Sequence, residues 1–142
     1  MKNYISKSLT LLVIIFTFFS CSKENININN NNQFSSGYFV TNEGNFGSGN
    51  GSLSYVDENN QVTNNVFSSI NSFPLGDVVQ SMSIINDNAY IVVNGSAKIE
   101  VATIDSLQYV TTINGFSGPR NILQVDVNKA YVKIQKKIHP DV

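Results

Sequence analysis

The residue types that most often carry catalysis or bind metals are scarce in this chain. It has one cysteine, Cys21, and one histidine, His139, among 142 residues. These two residues are too few for a zinc site, and Cys21 has no second cysteine for an intramolecular disulfide. The acidic residues do not form the paired carboxylates of acid–base catalysis or the spacing of a calcium loop. The sequence therefore predicts no catalytic residues, no metal site and no cofactor, and we expect the protein not to be an enzyme.

A glycine-rich segment, Gly44 to Gly51, has a composition that could surround a phosphate group. It lacks the lysine and spacing of a P-loop and the G-x-G-x-x-G spacing, and no helical pattern follows it. We therefore interpret it as a connection between two strands. The net charge of −1, with only nine lysines and arginines, also argues against a nucleic-acid-binding surface.

The N-terminus has the pattern of an export signal over residues 1–20. Lys2 and Lys7 precede an apolar run from Leu9 to Phe19, which is too short to span a bilayer. Phe18 to Cys21 resembles a bacterial lipobox, which implies that Cys21 is lipidated and becomes the first mature residue. A plain secreted protein is the alternative. We expect a lipid-anchored outer-membrane protein on the cell surface, with the periplasmic face as the other possibility.

Residues 21–36 are predicted to form a tether between the lipid and a folded domain, because the asparagine-rich run from Asn25 cannot form a core. From Gly37 onward, short runs rich in valine, isoleucine, tyrosine and threonine alternate with asparagine, aspartate or glycine. The predicted strands are 38–42, 52–56, 62–67, 81–85, 89–93, 99–104, 109–113, 122–125 and 130–132. No later segment has apolar residues at helical spacing over three turns. The predicted fold class is all-β with antiparallel strands.

The segment from Ile84 to Asn94 is similar to the segment from Leu123 to Lys133, and Tyr90 lies 41 residues before Tyr131. The segment that begins at Gly37 starts in the same way, with Tyr38 in the place of Tyr90. A period near 40 residues that holds four short strands is typical of one β-propeller blade. The sequence predicts that Tyr38, Tyr90 and Tyr131 open the second strands of successive blades.

Phe39 to Asn42 and Tyr90 to Asn94 resemble the Tyr-Val-Thr-Asn repeat of YncE-like β-propellers. The segments 42–47, 76–82 and 98–101 resemble the opening blades of a lipoprotein branch of that group. The resemblance covers residues 37–132, and it implies an incomplete propeller of two to three blades where about seven are usual. Some members of the branch capture cobalamin beside an outer-membrane transporter.

In a propeller, the loops 42–51, 73–80, 94–97 and 115–120 would share one face. The candidate binding residues in these loops are Asn42, Glu43, Asn45, Asn94 and Arg120. Amide and charged groups, with aromatic rings nearby, suit a planar polar ligand or a partner protein. For the asparagines, turn formation is the alternative, and for Arg120 it is a structural role in an inner strand.

Residues 133–142 depart from the repeat, and we interpret them as an aberrant tail, caused by a frameshift or an early stop. The predicted function is a non-enzymatic binding module on a lipoprotein. Its partners would be the membrane through the lipid, together with a small molecule, cobalamin-like being one option, or an outer-membrane transporter. The alternatives are an adhesion or structural protein of the cell envelope, an enzyme whose catalytic groups lie in missing blades, and a non-functional truncated fragment.

Overall fold

The computed structural model describes residues 33–34 and 36–135. The predicted signal sequence, Cys21 and most of the predicted tether and tail lie outside the described residues. The elements in chain order are β1 Gly37–Asn42, β2 Ser52–Asp57, β3 Val62–Thr63, α1 Val66–Asn71, β4 Val79–Ile85, β5 Asn88–Val93, β6 Lys98–Thr103, β7 Tyr109–Asn114, β8 Pro119–Asp126 and β9 Lys129–Ile134. No helix in this part of the chain has the length and apolar character needed to cross a membrane.

The strands form three antiparallel sheets. The first sheet has the order β1-β2-β3, the second has the order β4-β5-β6-β7, and the third is the hairpin β8-β9. Neighbouring strands in each sheet are also consecutive in the sequence, so each sheet is a meander built from short connections. The predicted all-β antiparallel class is confirmed, apart from one short helix.

The central strands β5 and β6 of the second sheet are buried on both faces, because this sheet lies between the other two sheets. Ile91 and Val93 belong to a core cluster shared with Leu53 of the first sheet. Their neighbour in β5, Val92, points to the opposite face, where it packs against partly buried Ile122 of the third sheet. Successive strand residues alternate between faces, so burial on both sides explains why β5 is apolar almost throughout.

The prediction of one strand over residues 62–67 was wrong. The strand β3 ends at Thr63, and Asn65 adopts a left-handed conformation with φ 56° that starts helix α1. Phe67 in this helix is fully buried. The Asn71 side chain donates to the carbonyl of Leu107 at 2.8 Å and accepts from the backbone N–H of Tyr109 at 2.8 Å. These tertiary contacts stabilise the helical turn. Strand propensity depends on the local sequence and therefore does not reveal them.

The repeat is offset by one residue in the first sheet. Phe39 pairs with Tyr55 as Tyr90 pairs with Val101 in the second sheet. Phe39, and not Tyr38, therefore occupies the place of Tyr90. Because a one-residue shift moves a side chain to the other face of a sheet, Tyr38 lies on the outer side and is 56% exposed.

The folded part extends past the predicted limits at both ends. Phe34, which the sequence places in the tether, is buried and packs edge to face on Tyr55 with ring centroids 4.9 Å apart. At the other end, β9 continues to Ile134, two residues beyond the predicted strand. Lys133 and Ile134 therefore continue the pairing with β8, although their types depart from the repeat.

Candidate functional site

Four loops meet at the end of the sheets where β1, β5, β7 and β9 finish. We call the surface formed by residues 43–51, 72–80, 94–97 and 115–120 the rim. The N–H of Gly51 donates to the carbonyl of Gly76 at 2.9 Å, and the N–H of Asn94 donates to the carbonyl of Val78 at 2.8 Å. Glycine is required at position 51, since a Cβ atom there would lie 2.9 Å from the Gly76 carbonyl oxygen. The structure thus brings together the loops that the sequence analysis grouped.

Asp77, which the sequence analysis did not select, connects three of these loops. Its carboxylate accepts the N–H of Gly47 at 3.0 Å from each oxygen and the N–H of Gly49 at 3.4 Å. Its backbone N–H donates to Ser96 Oγ at 2.9 Å, and its carbonyl accepts from Gly95 at 3.0 Å. Asp77 therefore fixes the glycine-rich loop against the loop between β5 and β6.

Two of the predicted site residues, Glu43 and Arg120, are joined through a third side chain. Gln80 Nε2 donates to Glu43 Oε1 at 2.9 Å, and Arg120 Nη1 donates to Gln80 Oε1 at 2.6 Å. Arg120 Nη2 also donates to Gln135 Oε1 at 2.8 Å. The four side chains form a continuous hydrogen-bonded row, which we call the rim row, and it runs across all three sheets.

The rim row leaves N–H donors of Arg120 that a ligand could bind. Arginine carries five N–H donors in a rigid fork, and the rim row uses two of them, both toward uncharged amide oxygens. Within the described residues, the one ion pair closer than 4.0 Å joins Lys98 to Glu100 and does not involve Arg120. Arg120 is half-buried and Glu43 is exposed, so an anionic group could approach the guanidinium while a donor approaches the carboxylate.

Asn42 and Asn94 use their amides for structural bonds. The Asn42 amide donates to Ser52 Oγ at 3.2 Å and to Ser54 Oγ at 2.9 Å, within the first sheet. The Asn94 amide donates to the carbonyl of Pro119 at 2.8 Å and so ties β5 to the start of β8. These bonds are structural, but they join neighbouring strands and are not the turn formation that was the alternative for the asparagines.

Asn45 and Phe46 lie at the tip of the glycine-rich loop. The backbone N–H of Asn45 donates to Asn50 Oδ1 at 2.8 Å, so it is not available to a ligand. The residue itself is exposed. The Phe46 ring is 87% exposed. The rim has two other aromatic residues, Phe73 and Phe116, and these pack against the clusters that contain Leu53 and Val92, respectively. Phe46 is thus the rim aromatic that is open to a ligand.

A comparison with family models gives a match over residues 36–140, to the family described as Domain of unknown function (DUF5074). The matched segment is more than half of the 142 residues. The chain belongs to the DUF5074 family. A comparison with curated proteins found no match.

This DUF5074 domain has a cavity at each end of its sheets. One, of about 180 Å³, opens at the rim between the glycine-rich loop and α1, and its lining includes Asn50 and Phe67. The other, of about 300 Å³, lies beside the turns β4–β5 and β8–β9, and its lining includes Tyr90 and Lys129. The rim cavity adjoins the loop that carries Glu43 and Phe46, so it lies beside the candidate binding residues.

Metal-binding clusters of three or more histidine, cysteine or acidic residues are absent from residues 33–34 and 36–135. Among the described acidic residues, Asp105 in the turn between β6 and β7 has a clearly shifted pKa. Hydrogen bonds from the side chains of Ser106 and then Thr103 lower its pKa, because they favour the ionised form. This turn lies away from the rim and contributes nothing to the rim row.

Asp77 and Gln80 of the rim, and Gln135 of the rim row, are the residues that sequence reasoning missed. Gln80 and Asp77 lie in the segment 76–82 that carries the resemblance, but no local pattern marks their side chains as partners of Glu43 or Gly47. Gln135 falls in the predicted tail. Extending the pairing of β8 with β9 would have placed Gln135 next to the loop before β8. In the structure its N–H donates to the carbonyl of Gly118 at 2.9 Å.

Proposed function

We propose that this chain forms part of a β-propeller whose rim binds a small polar molecule. Successive meander sheets that stack face to face support this architecture, as does the four-stranded second sheet. The innermost strands are also joined from sheet to sheet. Ser81 Oγ donates to the carbonyl of Arg120 at 2.7 Å, and Ser83 Oγ donates to that of Ile122 at 3.2 Å.

The rim row is the observation that carries the binding proposal. Glu43 directly follows β1 of the first sheet, Gln80 lies in the second sheet and Arg120 in the third, and they meet through bonds of 2.9 and 2.6 Å. Fixed hydrogen-bonding groups of this kind give a ligand site its orientation and specificity. We propose a non-enzymatic role, in which the site holds a molecule without changing it.

The ligand that suits this surface has an anionic oxygen, hydrogen-bonding groups and a flat apolar part. Arg120 would contact the anion, Glu43 would accept an N–H or O–H, and Phe46 would stack on the flat part. A cobalamin-like molecule has these features, since a phosphodiester and amides surround its planar ring. We propose that this protein is an outer-membrane lipoprotein that captures such a ligand. Its partner would be a transporter that receives the ligand.

Equilibrium dialysis of the chain against cyanocobalamin, followed by visible absorbance, tests the proposal. Arg120→Gln should weaken binding about 10- to 100-fold, because a hydrogen bond to a charged group contributes roughly 1.5–3 kcal/mol. Lys133→Gln is the matched control, since it also removes one positive charge but lies on the exposed part of β9. Equal binding by the two variants, or no binding by the parent chain, would refute the proposed ligand site.

A further inference from the structure

The three sheets stack in one direction, so each sheet has a forward face toward the next sheet and a back face toward the previous one. In the second sheet, Tyr90 and Val92 belong to the forward face and pack with residues of the third sheet. Ile91 and Val93 belong to the back face and pack with residues of the first sheet. Within the chain, a forward face therefore always packs on a back face.

The forward face of the third sheet is open. Leu123 and Tyr131 are directly paired across β8 and β9, and they are 66% and 56% exposed. Tyr131 has the strand position that Tyr90 has in the second sheet, where Tyr90 is partly buried in the interface with the third sheet. The third sheet thus presents an apolar pair at the position that forms the contact one repeat earlier.

The back face of the first sheet is open as well. Tyr38, Val40 and Val62 are between 40% and 59% exposed. Val40 pairs with Ser54 as Ile91 pairs with Glu100, so Val40 has the strand position of Ile91. Ile91 is fully buried against the first sheet. Two surfaces that match the halves of an internal interface are therefore exposed at opposite ends of the stack.

We propose that these two surfaces bind each other between copies of the chain, so that the forward face of one third sheet packs on the back face of another copy's first sheet. A second copy is the favoured occupant because forward-on-back packing already occurs twice within the chain. The contact uses different surfaces on the two copies, so it either closes into a ring, the smallest being two copies with six sheets, or continues as a filament. This inference depends on the stacking alone and needs no ligand at the rim.

Cross-linking tests which faces meet. The purified full chain carries Cys21→Ser, so that introduced cysteines are its only thiols, together with Val40→Cys, Tyr131→Cys or both. With a short bis-maleimide, the double variant should give a ladder of dimers and any larger species, and each single variant should stay monomeric. A missing ladder would show that the two faces do not bind each other between copies. Self-linking of Tyr131→Cys alone would show a symmetric dimer. Either result overturns the proposal.

A matched pair of substitutions separates the interface from a general loss of folding. Leu123→Asp places a charge on the forward face and should reduce the ladder at least tenfold. Val127→Asp makes the same kind of change in the β8–β9 turn, where Val127 is 72% exposed, and should leave the ladder intact. Arg120→Gln should also leave it intact. Equal ladders from Leu123→Asp and Val127→Asp would contradict the proposed interface, whatever cyanocobalamin binding shows.

Discussion

Removal of the Asp77 carboxylate should release the glycine-rich loop from the rim without unfolding the sheets. The side chain of Asp77 holds Gly47 at 3.0 Å and Gly49 at 3.4 Å. Its contacts with Ser96 and Gly95 use backbone atoms, so Asp77→Ala preserves them. A hydrogen bond to a charged acceptor contributes roughly 1.5–3 kcal/mol. Because the Gly47 bond is exposed, we take the lower value of about 1.5 kcal/mol, which corresponds to a factor of about ten.

Amide hydrogen exchange measured by NMR reports this opening directly. In Asp77→Ala, the N–H of Gly47 should exchange about tenfold faster, with a smaller effect at Gly49 because its bond is longer. Asp57→Ala is the control, since the Asp57 carboxylate accepts the N–H of Asn59 at 2.9 Å in a turn outside the rim. Unchanged exchange at Gly47, or an equal increase in both variants, would show that Asp77 does not fix the loop.

Two further predictions concern the interior and the anchor. Lys98→Met should lower the free energy of unfolding by about 2–3 kcal/mol, measured by urea denaturation followed by circular dichroism. The reason is that the carboxylate of Glu100, which is 1% exposed, loses its cation. Adding Glu100→Leu should restore stability to within about 1 kcal/mol of the parent, and a double variant less stable than Lys98→Met would contradict this reasoning. Cys21→Ser should abolish incorporation of a palmitate analogue and shift the protein out of the membrane fraction, while Ser22→Ala should change neither, and membrane association equal in both variants would rule out a thiol-linked anchor.

The sequence predicted the sheets well because strand residues here follow simple rules. The runs 89–93 and 99–104 are bounded by turn residues and rich in β-branched types, and they match β5 and β6 within one residue at each end. The helix at Val66–Asn71 could not be predicted in this way. Its six residues are too few for a periodic signal, and its stability comes from tertiary contacts of Phe67 and Asn71.

The candidate site was predicted in position more than in detail. The repeat indicated which loops share one end, and the structure joins Glu43 to Arg120 there. The repeat could not indicate that Gln80 bridges these two residues. Gln80 lies 37 positions after Glu43 and 40 positions before Arg120, so local sequence gives no sign of either contact. The asparagines were harder to interpret, since the same amide can bind a ligand or a backbone carbonyl, and only the fold decides which acceptor is near.

The roles of Asn94 and Arg120 follow from what the neighbouring backbone requires. The carbonyl of Pro119 accepts the Asn94 amide, so a ligand that recruited this amide would break the link between β5 and β8. The carbonyl of Arg120 accepts Ser81 Oγ, which fixes the backbone of that residue and leaves its side chain free to turn toward Gln80. A binding site gains from side chains whose backbone is already held, since less conformational entropy is lost when the ligand arrives. The backbone of Asn94 is held as well, through its N–H bond to Val78, so the side chains decide between the two residues. The Asn94 amide is committed to Pro119, whereas the Arg120 guanidinium keeps N–H donors that a ligand could use.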